Sequence, residues 1–380
     1  MQQVVVAIDS FKGSLSTFEA GEAIAEAVKD VYKDAKVIIS PIADGGEGTV
    51  EAIIFASKGE MVKVAVTNPL GEKIEASYGF IPDRKTAVIE MSAAAGITLI
   101  DESERNPMNT TTFGVGEMIL DAISKGCRKF VIGIGGSATN DGGVGMLQAL
   151  GFKFLDENGN QVSFGAKGLK DIATIKTENA AKELKECSFL VACDVKNILC
   201  GETGCSAVYG PQKGATAEMI KDMDLWLGKY AELTKSVIEN SDAEIPGTGA
   251  AGGMGFALLA YLNATLKSGI ELVMEETGLE DKIKDADLVI TGEGRLDGQS
   301  YMGKAPVGVA KLAKKYGKPV IAFSGCVTED AAGCNDHGID AFFPIVRKPC
   351  TLEEAMNIGN AYKNLKDTAF QVFRLIQTNI

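Results

Sequence analysis

The sequence predicts an α/β protein of two domains, the first of which is built from both ends of the chain. About the first 60 residues alternate two apolar strand patterns with two helix patterns, which is typical of a mostly parallel sheet. Short strands joined by turns follow, and buried strands that alternate with helices return near residue 286. A chain of 380 residues also favours two domains over one. We therefore expect a discontinuous domain of residues 1–64 and 286–380 and an inserted domain of residues 65–285.

The composition excludes several classes of protein. The formal net charge of −13 argues against a nucleic-acid partner, because phosphate backbones bind basic surfaces. Eight cysteines without a CxxC spacing, and a single histidine, predict reduced thiols and no zinc site. No apolar run approaches membrane-spanning length, and the chain opens on a strand pattern without a signal-peptide pattern. We therefore expect a cytoplasmic protein with no membrane partner.

The two opening strands, residues 3–9 and 36–42, both end in polar loops that contain glycine. The helix between them, residues 16–31, begins at a capping box of Ser16 and Glu19. Ligands of open α/β sheets bind outside the carboxyl ends of the strands, so both loops are candidate ligand sites. Their polar side chains are Asp9, Ser10 and Lys12 in the first loop and Asp44 and Glu47 in the second.

A glycine-rich turn, residues 135–143, joins a β-branched strand at residues 130–134 to a helix at residues 144–150. Glycine lets the backbone approach a ligand closely, and the free amides at the start of a helix favour anions. We therefore expect this turn to bind a phosphate or a polyol. Its polar side chains include Ser137, Asn140 and Asp141, and its first glycines are Gly135 and Gly136.

The remaining strands and helices follow the same apolar patterns. Strands are expected at residues 63–67, 73–78, 86–91, 189–194, 286–291, 319–324 and 341–345, and helices at residues 113–124, 217–237, 255–266, 306–316 and 352–376.

Carboxylates and cations recur together where the strands end. Phosphoryl transfer needs this set, because carboxylates hold Mg²⁺ and cations neutralise the transferred group. Neither a Walker A motif nor a kinase HRD signature is present, and GIGGSA matches a dinucleotide fingerprint only in part. The carboxylates are Asp9, Asp44, Asp141, Asp194, Glu293 and Asp297, and the cations are Lys12, Lys213, Arg295 and Lys304.

Five motifs, in order along nearly the whole chain, resemble those of the bacterial glycerate kinase type 1 family. They are IDSFKGS at residues 8–14, DGGEGT at 44–49, GGSATNDGG at 135–143, GPQKGA at 210–215 and TGEGRLD at 291–297. The resemblance implies phosphorylation of D-glycerate with ATP and Mg²⁺, in most bacterial members at the 2-hydroxyl. It also implies a discontinuous, Rossmann-like α/β domain, an inserted flavodoxin-like α/β domain, and an active site in the cleft. One departure is Ile198, where the family pattern leads us to expect proline.

The resemblance also implies roles for individual residues. We expect Asp194 to act as general base or Mg²⁺ ligand, with Asn197 orienting it. Lys12 would bind the glycerate carboxylate or a phosphate, and Arg295 would clamp the carboxylate with both of its terminal nitrogens. The expected substrate-binding residues are Asp9, Ser10, Asp44, Glu47, Ser137, Asn140, Asp141, Asn197 and Asp297, and the expected ATP-binding residues are Lys213, Lys304, Gly135, Gly136, Gly292 and Glu293.

Two other functions are compatible with an α/β chain. A hydroxy-acid dehydrogenase would need a full GxGxxG motif after the first strand, where this chain has DSFKGS. A non-enzymatic sensor of sugar acids would not need so many charged strand ends. The sequence leaves open which hydroxyl receives the phosphate, which hydroxy acid is the substrate, and whether the chain forms a homodimer.

Overall fold

Both ends of the chain contribute to one five-stranded sheet, and the middle of the chain forms a six-stranded sheet and a two-stranded one. The structure, a computed structural model, describes residues 1–46, 48–302 and 304–378. Backbone contacts divide the chain into two units. The discontinuous unit comprises residues 1–44 and 51–57 and the described residues from 270 onward. The inserted unit comprises the described part of residues 45–50 and residues 58–269.

The strands of the described residues are numbered in chain order. Strands β1 to β13 span Gln3–Val6, Lys36–Ile39, Glu60–Thr67, Lys73–Ile81, Thr86–Glu90, Lys129–Gly133, Lys153–Leu155, Thr174–Lys176, Ser188–Ala192, Thr265–Lys267, Leu288–Leu296, Val320–Val327 and Ala341–Pro344.

The α-helices of the same residues are numbered in the same way. Helices α1 to α15 span Thr17–Val31, Thr49–Ser57, Ser92–Ala95, Phe113–Ser124, Val144–Ala149, Ala166–Leu169, Cys205–Tyr209, Ala217–Val237, Ala250–Leu262, Gly269–Thr277, Leu279–Lys284, Ala305–Lys315, Gly333–Asp336, Leu352–Met356 and Ile358–Gln377. In the described part of the chain, none of these helices is both long enough and apolar enough to cross a membrane.

The five strands of the discontinuous unit are all parallel, in the order β13-β12-β11-β1-β2. The chain runs outward from β1 to β2 on one side and from β11 to β13 on the other. The order of strands therefore reverses between β1 and β11. Ligands of doubly wound sheets bind outside the carboxyl ends of the strands at such a reversal, so the fold itself marks this edge of the sheet.

The sheet of the inserted unit is mixed. Its order is β10-β9-β6-β5-β4-β3, in which β10, β9, β6 and β5 are parallel and β3, β4 and β5 form an antiparallel meander. The α/β class expected from the sequence is confirmed. The prediction that the inserted domain is flavodoxin-like is wrong. When the five strands of the discontinuous unit are numbered 1 to 5 along the chain and read from the β2 edge, their order is 2-1-3-4-5. This is the flavodoxin-like order, so it belongs to the discontinuous unit and not to the inserted one.

Each sheet has its own apolar core. In the discontinuous unit, Val4 and Val6 of β1 are fully buried with Ile24 of α1 and Phe373 of α15. In the inserted unit, Phe130 stacks on Phe189 of the neighbouring strand with ring centroids 4.9 Å apart. Full burial of such side chains stabilises the fold by roughly 1.5–3 kcal/mol each, which holds the strand ends in place.

The expected domains and the contact-defined units have the same order along the chain but different bounds. The inserted unit ends at Gly269 rather than at residue 285. Helices α10 and α11 pack instead with the discontinuous unit, where Lys315 forms an ion pair with Glu280 and Gly308 lies against Ile270.

The predicted helix of residues 352–376 is wrong in one respect, because two helices cover this stretch. Asn357 has an extended backbone and accepts a hydrogen bond from the amide of Asn360, so it ends α14 and caps α15. The strand predicted at residues 286–291 also continues to Leu296, so Glu293 and Arg295 lie within β11 rather than in a loop after it. Both differences affect the candidate site.

Candidate active site

A cavity of about 340 Å³ lies at the carboxyl edge of the sheet in the discontinuous unit. Every strand of that sheet leads into it, with the reversal between β1 and β11 at its centre. Eight of the residues expected from the sequence line it, namely Asp9, Ser10, Lys12, Asp44, Glu293, Arg295, Asp297 and Lys304.

The loop after β1 brings a carboxyl group, that of Asp9, and an amine, that of Lys12, into this cavity. Its backbone is anchored by Phe11, a buried residue whose amide donates a hydrogen bond to the carbonyl of Leu15. Asp9 is only 4% exposed, and one of its carboxylate oxygens accepts a hydrogen bond of 2.6 Å from the amide of Ser10. Lys12 reaches toward the end of β2, where its Nζ atom lies 3.5 Å from the carboxylate of Asp44.

Burial and neighbouring charges shift the pKa values of Asp9, Glu293 and Lys12 around this loop. Burial raises the pKa of Asp9 to about 7, and the negative charges of Asp44 and Glu293 add to this effect. Burial also raises the pKa of Glu293, although the hydroxyl of Ser300 donates a hydrogen bond to its carboxylate. Although burial opposes it, the charges of Asp44 and Asp9 raise the pKa of Lys12. At neutral pH the cavity therefore holds a protonated lysine, Lys12, and a carboxyl group, Asp9, whose pKa is close to the surrounding pH.

The end of β11 supplies a guanidinium group to the same cavity. The Nε atom of Arg295 lies 3.4 Å from the carboxylate of Asp297, but the Arg295 side chain is 63% exposed. An ion pair this exposed to solvent contributes little energy, so the terminal nitrogens remain accessible to an anion. Lys304 directly precedes α12 and adds a further cation. Four carboxylates and three cations thus face the cavity within the described residues.

The glycine-rich turn after β6 lies in the inserted unit and is held from beneath. Lys213 is 2% exposed, and its Nζ atom donates hydrogen bonds of 2.8 Å to Ser137 Oγ and 2.6 Å to the carbonyl of Thr139. Burial lowers the pKa of Lys213 to about 8. The amine therefore supports the turn from inside, and this geometry favours a positioning role over contact with a phosphate.

Asp141 is a second internal support of the same turn. It is 1% exposed, and it accepts hydrogen bonds from the amides of Thr112, Gly143 and Gly145 and from the Thr112 hydroxyl. Asn140 is also buried and donates to the hydroxyl of Ser206. Since these side chains are bonded within the protein, they fix the backbone of the turn, where Gly135 and Gly136 are its exposed part.

Asp194 follows β9 in the inserted unit and is exposed. One of its oxygens accepts a hydrogen bond of 3.0 Å from the amide of Gly269. Gly45 packs beside it with a positive φ of 89°, and a Cβ atom there would lie 2.9 Å from the methyl group of Ala192. Only glycine fits this position without displacing the loop.

The expected orientation of Asp194 by Asn197 is not found. The Asn197 carboxamide donates to the carbonyl of Thr203 at 2.7 Å and accepts from the Tyr209 hydroxyl at 2.6 Å. Both ends of this amide therefore hold the local chain.

Gly292 lies beneath the cavity in β11, where a Cβ atom would collide with the carbonyl of Phe323. Glu47 lies outside the described residues.

One wall of the cavity was missed by sequence analysis. Helix α14 and the start of α15 form this wall together with the end of β13, where the sequence pattern predicts a single continuous helix. The Thr351 and Glu354 capping box was the available signal that a helix begins at residue 352, and Asn357 was the signal that it stops. The residues of this wall are Ile345, Val346, Leu352, Ala355, Met356, Ala361 and Asn364.

No group of three or more His, Cys, Asp or Glu side chains in residues 1–46, 48–302 and 304–378 is arranged to hold a metal ion. The oxygen donors are nevertheless suited to Mg²⁺. This ion is commonly bound by one or two carboxylates, with water and substrate phosphate oxygens as its remaining ligands.

Comparisons with known proteins agree with this chemistry. The family model described as the glycerate kinase family matches residues 4–377. Glycerate 2-kinase of Escherichia coli K12 is 49% identical over 371 residues, which cover 96% of this chain and 97% of the relative. Glycerate kinase of Bacillus subtilis 168 is 46% identical over 95% of this chain and 94% of its own. A crystal structure described as glycerate kinase 2 of Salmonella typhimurium LT2 superposes with a TM-score of 0.92 at 46% identity, covering 100% of this chain and 99% of the other. The chain belongs to the glycerate kinase family, and it is a kinase that phosphorylates an alcohol group.

Proposed function

We propose that this kinase transfers the γ-phosphoryl group of ATP to the 2-hydroxyl of D-glycerate, with Mg²⁺, and releases 2-phosphoglycerate and ADP. The observation that carries the proposal is the charged cavity at the strand-order reversal, where a buried carboxyl group, a lysine and an accessible guanidinium group converge. The name of the Escherichia coli relative, glycerate 2-kinase, supports the choice of hydroxyl.

The glycerate carboxylate would bind to Arg295. A guanidinium group forms two parallel hydrogen bonds to a carboxylate, which fixes the orientation of the acid as well as its position. Lys12 would neutralise charge on the transferred phosphoryl group, because its ammonium is kept protonated by Asp44 and Asp9. Ser10 and Asp297 line the same cavity and are proposed to contact the hydroxyl groups of the substrate.

Asp9 is the better candidate for the general base. A base works best when its pKa is close to the working pH, and Asp9 meets this condition inside the cavity. One carboxylate oxygen of Asp9 would take the proton of the 2-hydroxyl. The hydroxyl oxygen then forms a bond to the γ-phosphorus, and the bond from that phosphorus to the bridging oxygen breaks, which leaves ADP.

Asp194 is then proposed as a Mg²⁺ ligand rather than as the base. It is exposed, and its carboxylate is already oriented by the amide of Gly269. The excess of carboxylates in the cavity also favours a metal requirement, since the negative charge of a triphosphate would otherwise be repelled. When bound, Mg²⁺ neutralises the phosphate oxygens during transfer.

The product identifies the reaction. We propose to incubate the protein with D-glycerate and MgATP and to record phosphorus and proton NMR spectra of the product. The predicted spectrum shows the phosphorus coupled to the single proton on C2. Coupling to the two protons on C3 would overturn the proposed position of transfer, and binding of glycerate without ADP release would favour a sensor. A cytoplasmic location and a homodimer remain predictions.

A further inference from the structure

The cavity of the discontinuous unit is larger than glycerate alone requires. Sites for drug-sized molecules have volumes of roughly 300–1,000 Å³, and at about 340 Å³ this cavity falls within that range. Glycerate is a three-carbon acid, which fills only a small part of this volume. The shape therefore provides for a second, larger ligand.

The lining changes from charged to apolar along the edge of the sheet. The charged side chains follow β2, β1 and β11, which are neighbours in the sheet, whereas β12, β13 and α14 line the other side. The apolar side chains on that side include Ile345, Val346, Leu352 and Met356. A ligand that fits this gradient has a polyanionic end and a flat or apolar end.

The apolar side chains at the rim of the cavity are left uncovered. Val346 is 38% exposed and Leu352 is 76% exposed, although both are large and hydrophobic. Met356 lies at the inner end of the same wall, where its methyl group packs against Gly13 of the β1 loop. Covering such a surface with an apolar group is favourable by about 25 cal/mol per Å².

One polar side chain on this wall has no hydrogen-bond partner in the described part of the chain. Asn364 is half-buried on α15 and lines the cavity. A carboxamide offers one acceptor and two donors, and it pairs with both the amino group and the neighbouring ring nitrogen of adenine. A single polar group on an apolar wall is the usual way in which a pocket selects the orientation of a ring.

We propose that the apolar wall of this cavity binds the purine base of the nucleotide substrate, with Asn364 bonded to the edge of the base. The inference rests on the proposed use of ATP, and it places the triphosphate toward Lys12 and Lys304. Because the base and the phosphates bind at opposite ends, a change at Asn364 should weaken the nucleotide without weakening glycerate.

The test compares MgATP with inorganic tripolyphosphate, which has no base, by isothermal titration calorimetry. Loss of the amide contacts in Asn364→Leu should weaken MgATP binding by about tenfold and leave tripolyphosphate binding unchanged. Gln371→Leu is the matched control, because it removes an amide from an exposed position of the same helix outside the cavity. Val346→Thr is a second variant, which makes one side chain of the apolar wall polar without adding charge and should also weaken MgATP only.

Unchanged MgATP affinity in both cavity variants would overturn the inference, as would an equal loss for tripolyphosphate. A wild-type protein that binds MgATP with these preferences but releases no ADP with glycerate would refute the proposed function and leave the base site standing. If the wild-type protein phosphorylates glycerate and Asn364→Leu keeps the wild-type KM for ATP, the base site would be refuted and the proposed function would stand.

A labelling experiment gives an independent measurement. Cys326 is an exposed thiol that lines the cavity, and Cys350 is an exposed thiol outside it. Saturating MgATP should slow alkylation of Cys326 by iodoacetamide several-fold and leave Cys350 unaffected, as measured by peptide mass spectrometry. Equal rates at Cys326 with and without saturating MgATP would contradict occupation of the cavity by the nucleotide.

Discussion

The buried ammonium group of Lys213 lies 2.8 Å from the hydroxyl of Ser137, beneath the glycine-rich turn of the inserted unit. The same nitrogen also donates to the carbonyl of Thr139. A lysine is rarely fully buried. Burial lowers the pKa of this one to about 8, although the charges of Cys205 and Asp141 oppose the shift. The protein thus retains a desolvated cation in order to fix the backbone of one turn.

Lys213→Met should destabilise the protein at pH 7 by about 1–3 kcal/mol, because it leaves the Thr139 carbonyl buried without a donor. Urea unfolding measures this change. The folded-state pKa of Lys213 lies below its ordinary value of 10.5, so the unfolded chain binds more protons between about pH 8 and 10.5. Over that window Lys213 makes wild-type stability rise with pH, and Lys213→Met should lack this contribution. Equal pH dependence in the two proteins would argue against a desolvated Lys213.

Asp9→Asn should stabilise the folded protein at pH 8 while it impairs function. The folded-state pKa of Asp9 is raised to about 7, so the folded state holds a proton that the unfolded state releases near pH 3.8. The free energy of unfolding therefore falls as the pH rises from 3.8 to about 7. At pH 8, replacement by a neutral amide should raise the free energy of unfolding by on the order of 1–3 kcal/mol. Asp34→Asn, at an exposed position, is the control and should change stability little.

Arg295→Ala should raise the KM for glycerate at least tenfold and leave the KM for ATP nearly unchanged, because the guanidinium is proposed to hold the carboxylate of the acid. Arg295→Lys keeps the charge without the planar fork and should recover only part of the affinity. Initial-rate kinetics with each substrate varied separately measure both constants. If Arg374→Ala, which alters an exposed arginine on α15, raised the KM for glycerate equally, the effect would be one of net charge.

Removal of divalent cations with EDTA should abolish phosphorylation, and added Mg²⁺ should restore it. Asp194→Asn should then need a higher Mg²⁺ concentration for half-maximal activity, with kcat at saturating Mg²⁺ reduced less than in Asp9→Asn. A titration of activity against Mg²⁺ gives this value directly. An unchanged Mg²⁺ requirement in Asp194→Asn would remove Asp194 from the metal site.

Strand ends were the most predictable part of the site. Buried apolar runs place Asp9 and Asp44 after parallel strands, and the carboxyl ends of such strands meet at one edge, so their convergence follows from the sequence pattern. The pattern could not show that Lys213 and Asp141 turn inward, because their burial depends on partners far away in the chain, such as Ser137 and Thr112.

Helix breaks were the least predictable part. The amphipathic pattern of residues 352–376 continues through Asn357, and the break there is decided by one side-chain hydrogen bond to the amide of Asn360. The sequence also could not assign the flavodoxin-like order to the discontinuous unit. That order depends on the pairing of β1 with β11, in which the paired residues Val4 and Leu288 lie 284 positions apart. No local pattern specifies a partner so distant in the chain.

The central claim is that Asp9 accepts the proton of the glycerate hydroxyl in the cavity of the discontinuous unit. The pH dependence of kcat/KM for glycerate in wild type and Asp9→Asn tests it most directly. The wild type should lose activity on the acid side with an apparent pKa of about 7, and Asp9→Asn should fall by at least about 100-fold and lose that acid limb. An Asp9→Asn variant that keeps near-wild-type activity, with the acid limb unchanged, would contradict the account.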